Sequence, residues 1–377
     1  MEENEKIIEE IPKPKEKNRK KSTIKTLLLV LFFCATFYCV YLISKDLSGS
    51  SVATFKFVIA NINLRNLLFL LLLVAILFFT DALKYSIIAK IIKGKFDYAL
   101  CINIGIMGRF YDNITPFNTG GQAYQVYQLY NKGYTPSEAT AIPIVKYIFQ
   151  LLAWICVSIV LYIVNHQALD YLPLARANGI KIACYVGISI ACLAPTLVIL
   201  FSVFPKTVLK IIGFFMKLFY KMKIIKDYDT KIAKVTSFLD QYKEAFIKIN
   251  KNVVGIISLF ILSMIDFILI MSIPYFVLLS IGNASYSFKL FFDVITLNAY
   301  SLFAASLVPT PGNSGAIEAV YSMVFAPIPM SQGLLFWVVF TWRFYSYYIY
   351  LFIGFIETII LFISHKFKKK KQYPKIN

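Results

Sequence analysis

The chain has 377 residues, 58% of them hydrophobic and 16% charged, with a formal net charge of +19. Soluble domains sit near 45–50% apolar with about a quarter of their residues charged, so this balance argues against a soluble protein. A nucleic-acid binder shares the basic charge but not repeated apolar runs long enough to cross a bilayer, so no direct nucleic-acid partner is expected.

In chain order, residues 1–25 are charged, mixed in sign and contain Pro12 and Pro14. They read as a disordered cytoplasmic tail, because no small-residue cleavage site follows the first apolar run. Residues 26–365 read as a transmembrane domain. A spanning helix needs about 20 mainly apolar residues, and six segments qualify: Thr26–Ser44, Leu67–Ile88, Ala139–Val164, Ile182–Phe204, Val253–Ile281 and Leu334–Ser364. Lysines crowd the N-terminal tail (Lys20, Lys21, Lys25), the loop 205–252 and the basic tail 366–377. The loops near Lys45–Asn63 and His166–Lys181 carry few. The positive-inside rule then puts both ends on the cytoplasmic side of a cell membrane.

Two stretches, Tyr98–Lys132 and Leu290–Gln332, are apolar but broken by Gly, Pro, Asn and Thr. The charge count makes them re-entrant hairpins that enter from opposite faces, and such backbone survives at membrane depth only against protein or a water-filled cavity. The expected fold is therefore all-α: a polytopic membrane helix bundle of about six spans plus two opposed re-entrant hairpins. In the loop 205–252, lysines alternate with Phe214, Phe215, Leu218, Phe219, Ile224 and Ile225. That pattern fits an amphipathic helix on anionic lipid or an ordinary solvated linker.

The broken stretches share a motif, T-P-x-N-[ST]-G-[GA]. It runs Thr115, Pro116, Phe117, Asn118, Thr119, Gly120, Gly121, then again Thr310, Pro311, Gly312, Asn313, Ser314, Gly315, Ala316. A later helix carries a cation in each half, Lys146 and Arg343, and Thr135, Pro136 and Glu138 form a capping box before the Lys146 helix. Paired Gly/Pro-interrupted segments point to the binding site of a transporter built from inverted repeats. Broken helices also leave positive half-helix ends that favour an anionic group such as phosphate.

Ionisable groups within spans are costly and mark substrate paths or paired sites. The candidates are Asp81, Arg109, Asp112, Lys146, Asp266, Glu318 and Arg343, with Asn113 beside the first motif. Lys84 and Glu357 lie near span ends and are expected to snorkel. Asp266 is expected to pair with Lys146 or Arg343 or to stay protonated. Arg109 with Lys146 or Arg343 forms a candidate phosphate-binding pair, and Asp266 and Glu318 candidate amine contacts; the same charges could instead only fix helix packing. Six cysteines, mostly within apolar runs and without a CxxC pair, and two loop histidines suggest neither a metal site nor a cofactor.

The segments GRFYDNITPFNTGGQ at 108–122, NKGYTPSEA at 131–139 and VPTPGNSGAIE at 308–318 resemble the membrane region of lysylphosphatidylglycerol synthases. The resemblance covers nearly the whole chain after residue 25 and implies a flippase-like membrane domain. Carried over, its pattern points at Pro116, Gly120, Gly121, Pro311, Gly312, Gly315 and Glu318, with Asp81 as the acid closing the second span. Lys146 departs from the arginine that many relatives carry, which weakens any expected bidentate phosphate contact there. Full-length synthases transfer lysine from aminoacyl-tRNA to phosphatidylglycerol through an additional cytosolic acyltransferase domain; the loop 205–252 is too short to replace one, so autonomous catalysis is not expected.

Three functions follow as expectations. The first is binding or translocation of phospholipids, aminoacylated phosphatidylglycerol among them, without autonomous catalysis. The second is a lysyltransferase that needs a soluble aminoacyltransferase partner. The third is an ion-coupled small-solute transporter using Asp266 and Glu318. A homo-oligomer is compatible with all three.

Overall fold

The computed structural model describes residues 52–372 together with Tyr38, Tyr41 and Leu42, apart from positions 95, 116–117, 223–226, 283, 307, 309, 329 and 331–332. The expected first span is therefore almost entirely outside the described residues, as are the tail 1–25 and Pro116. Among the described residues the chain is helical with no strand. The helices are α1 (Phe55–Asn61), α2 (Leu64–Lys93), α3 (Tyr98–Ile114), α4 (Gly120–Asn131), α5 (Pro136–Val164), α6 (Leu174–Val203), α7 (Pro205–Lys221), α8 (Tyr228–Lys251), α9 (Val253–Ser280), α10 (Phe288–Ala305), α11 (Ala316–Phe325), α12 (Leu335–Arg343) and α13 (Ile349–Gln372).

Five are long and apolar enough to cross a membrane: α2, α5, the Leu174–Leu193 part of α6, α9 and α10. The expected spans fall on α2, α5, α6 and α9. The last, Leu334–Ser364, is one helical rod in which α12 passes into α13 through a π-helical turn at Phe344–Tyr348. Helix α5 begins as its sequence dictates. Thr135 Oγ1 accepts the Glu138 N–H at 3.3 Å and Glu138 returns a 2.9 Å bond to the Thr135 N–H, which satisfies two otherwise orphaned donors.

Three long helices, α2, α5 and α9, pack on one another and carry two apolar cores stacked end to end. One core takes Leu70–Leu77 of α2, Leu151 and Ile155 of α5 and Ile273–Leu279 of α9. The other takes Ala82–Ile92 of α2, Ala139–Val145 of α5 and Leu259 of α9. Between them each helix crosses a waist, at Asp81, Lys146 and Asp266, close to the midpoints of α2 and α9.

Both broken stretches are helix–break–helix hairpins, and they belong to opposite cores. Helices α3 and α4 pack in the Leu259 core, and α10 and α11 in the other. Their tips meet: α3 touches the short 3-10 turn Pro311–Asn313. Helix α10 differs from the expected re-entrant arm, because its 18 residues have the length and hydropathy of a span.

The basic loop is not a linker but the helix pair α7 and α8. Helix α8 buries Tyr242, Ala245 and Ile249 against the Leu259 core. Helix α7 leaves Phe214, Phe215, Leu218 and Phe219 exposed, which gives it the amphipathic face the sequence suggested.

Candidate functional site

At the waist, five charged side chains from four helices converge. Asp81 of α2 is 1% exposed and lies 3.1 Å from Lys84, 2.9 Å from Lys146 and 3.1 Å from Arg109 Nε. Arg109 Nε donates to Asp81 Oδ2, and the ammonium groups of Lys84 and Lys146 both face Oδ1. Lys84, also 1% exposed, pairs with Asp266 of α9, whose other carboxylate oxygen accepts the Thr80 hydroxyl. Three cations thus face two carboxylates.

This arrangement corrects two expectations. Lys84 does not snorkel, because Asp81 and Asp266 hold it inside. Asp266 pairs with neither Lys146 nor Arg343, because Lys84 already occupies it. The spacing of Asp81 and Lys84, three residues apart on one helix face, was the available signal. Glu357, the other group expected to snorkel, is half-buried and accepts the Asn103 side-chain amide.

The cations differ in access. Arg109 is 20% exposed and Lys146 12%, whereas Lys84 is closed off. Aromatic faces steady both open cations: the Arg109 guanidinium lies 5.1 Å from the Tyr350 ring centre and the Lys146 ammonium 5.2 Å from that of Tyr85. Asp112 lies within coulombic range of both, but its carboxylate accepts the Gly121 N–H at 2.8 Å, at the positive start of α4. The helix end offsets part of that charge, and Asp112 stands to one side of the cluster as a third carboxylate.

The motif repeat is a geometric repeat. Asn118 (φ 53°) and Asn313 (φ 54°) are the two non-glycine residues with positive φ among those described. In each copy the Asn N–H donates to the carbonyl of the motif's threonine, 3.3 Å to Thr115 and 3.0 Å to Thr310. Asparagine tolerates this left-handed conformation better than other side chains. Around the first tip, Thr115 Oγ1 donates to the Tyr111 carbonyl and accepts the Gly120 N–H at 2.9 Å. Gly121 is required by contact, since a Cβ there would lie 2.3 Å from the Gly108 carbonyl.

At the second tip, Thr310 Oγ1 donates to the Ser314 carbonyl, and Glu318 accepts the Gly315 N–H at 2.7 Å. Arg343 closes the structure. It donates to Glu318 at 2.6 Å, to the Gly312 carbonyl at 2.7 Å and to Ser314 Oγ at 3.0 Å, with its guanidinium 4.3 Å from the Tyr347 ring centre. Gly312 (φ 56°) leaves room for that ring, which a Cβ would approach to 2.0 Å. Tyr347 also links the tips, its hydroxyl donating to the Asn113 carbonyl at 2.9 Å. Nothing in the sequence singled Tyr347 out.

The structure therefore splits the expected site. Asp81, Arg109, Lys146 and Asp266 come together with Lys84 at the waist. Glu318 and Arg343 pair with each other at the second tip, so Arg343 does not join Arg109. The N–H groups of Gly120, Gly121 and Gly315 are held by the chain's own side chains. Among the cations of the expected site, Arg109 and Lys146 keep part of their side-chain surface exposed.

No curated protein and no solved structure matches the chain. A family profile described as the lysylphosphatidylglycerol synthase TM region matches residues 22–354. The chain belongs to that family.

Proposed function

We propose that the chain binds phospholipid head groups at the waist and moves lipids across the bilayer of the cell membrane, with both termini cytoplasmic. One observation carries this reading: two partly open cations, Arg109 and Lys146, share a single buried carboxylate midway along the bundle. Partly exposed cations in a low-dielectric surrounding attract an anion, and among membrane components the phosphate of a lipid supplies one. The two hairpin tips stand beside this site as elements that could rearrange around it, as in transporters with inverted repeats. The family description favours phosphatidylglycerol or its aminoacylated form as the lipid. Lysine transfer itself would be the work of a soluble aminoacyltransferase partner. The ion-coupled reading loses support because Asp266 and Glu318 are each held by a cation.

The test is scrambling of fluorescent phospholipids, lysyl-phosphatidylglycerol included, in proteoliposomes containing the purified protein. Accelerated movement that falls at least about tenfold in Arg109→Gln and Lys146→Gln supports the proposal. Wild-type rates in both variants, or no movement of any lipid by the wild type, would overturn it.

A further inference from the structure

Only Phe204 separates α6 from α7, and no residue from Ile182 to Pro205 is charged. At the other end of the helix pair, only Asn252 separates α8 from α9, a helix long and apolar enough to span. The pair is thus tied at both ends to apolar helices, and α7 starts where a charge-free helix leaves the hydrocarbon. At about 3.6 residues per turn the side chains of α7 divide into three faces. One packs on α8: Val208 is buried, Leu209, Ile212 and Met216 are partly so, and a Cβ on Gly213 would meet Ile232 and Tyr228 at 3.6 and 3.7 Å. The second carries Ile211, Phe214, Phe215, Leu218 and Phe219, each 41–68% exposed. The third holds Lys206, Lys210, Lys217 and Lys221 within an arc of about 60°. Helix α7 has no acidic residue, whereas α8 mixes its lysines with Asp229, Asp240 and Glu244.

We propose that α7 lies in the head-group layer of the membrane, with its phenylalanine face among the upper acyl chains and its lysines on the phosphates of anionic phospholipids. Five large apolar side chains on one exposed face need apolar cover, and α8 already occupies a different face. The lysines gather beside that face with no carboxylate among them, which fits a surface of uniform negative charge. The short joint at Phe204 fixes the height of α7 at the boundary of the hydrocarbon, where lipid supplies both the apolar cover and the phosphates. The leaflet is the one at the Val203 end of α6. This surface stands apart from the waist and does not depend on lipid movement.

The experiment uses the intact protein in nanodiscs of phosphatidylcholine, alone or mixed with phosphatidylglycerol in equal parts, and reads amide hydrogen exchange along α7 and α8. Phosphatidylglycerol should slow exchange over 206–221 at least about tenfold, the attraction of one or two lysines to such a surface. Replacing Lys206, Lys210, Lys217 and Lys221 together by Gln should remove that difference. Exchange over 242–249, where α8 is packed on the bundle, should stay at the wild-type rate and show that the pair remains folded. In Phe214→Trp, the fluorescence added over the wild type should be quenched by lipids brominated high in the acyl chain. Equal exchange in the two kinds of disc, a difference that survives in the lysine variant, or no quenching by the brominated lipids would overturn the proposal. An added tryptophan shielded from aqueous iodide yet untouched by brominated lipid would assign the face to another protein or a second copy, and overturn it equally.

Discussion

The two hairpin tips carry the same motif with the same left-handed asparagine, yet the cations associated with them do opposite things. Arg343 is closed: its Nε and Nη2 donate to Glu318, Gly312 and Ser314, and the Tyr347 ring covers its face. Arg109 and Lys146 are open, sharing Asp81 and keeping a fraction of their surface accessible. A repeat in sequence and backbone thus does not imply a repeat in role. The second half of the chain uses its arginine to lock a tip, and the first half leaves its cations around Asp81 partly exposed.

The sharpest way to break this comparison is to remove each cation and compare stability with transport. Arg343→Ala strands Glu318 in the interior, and losing one partner of a buried pair costs about 3–5 kcal/mol. The variant should lose most of its folded yield and melt well below the wild type by size-exclusion thermal profiling. Arg109→Gln and Lys146→Gln should leave folded yield close to wild type and reduce lipid movement at least about tenfold. Equal loss of folded protein in all three variants would show that the waist is as structural as the lock.

A smaller effect probes the junction of the tips. Gly312→Ala adds a Cβ against the Tyr347 ring at a positive φ, and such strain costs about 1–3 kcal/mol. If the ring is the cause, combining it with Tyr347→Ala should recover part of the loss in thermal unfolding. Thr135→Ala removes the capping box of α5 and should cost about 1 kcal/mol. The smallest change is Asn313→Gly or Asn118→Gly. Glycine adopts the same φ freely, so each should shift the melting temperature by no more than a degree or two, while Asn313→Ala should cost about 1–2 kcal/mol.

Much of this was legible before folding. Long apolar runs specify α2, α5 and α9, because backbone groups in lipid must bond within their own segment. The capping box predicted the start of α5 to the residue, since Thr135 and Glu138 act within one turn. The T-P-x-N-[ST]-G-[GA] pair predicted two breaks, and both occur where Thr, Asn and Gly stand. The charged candidates were found by type alone, since a carboxylate or cation inside an apolar run is conspicuous.

Which charge meets which could not be read in this way. Asp81, Lys84, Arg109, Lys146 and Asp266 are spread over 186 positions of sequence, and their pairing follows from how α2, α3, α5 and α9 cross. Lys84 looked like a snorkelling residue because its distance from the end of α2 was visible and its contact with Asp266 was not. Tyr347 and the π turn around it became meaningful only once the second tip was seen against the ring.

By itself, then, the amino-acid sequence determined the bilayer as solvent, the long helices, the helix starts and the two breaks. Each of these depends on groups within a few residues of one another or on a hydropathy that lipid reads segment by segment. Tertiary structure alone decided that one tip is locked and that three cations converge at the waist on Asp81 and Asp266. Those outcomes depend on which buried partners are already occupied, and occupancy is a property of the packed bundle.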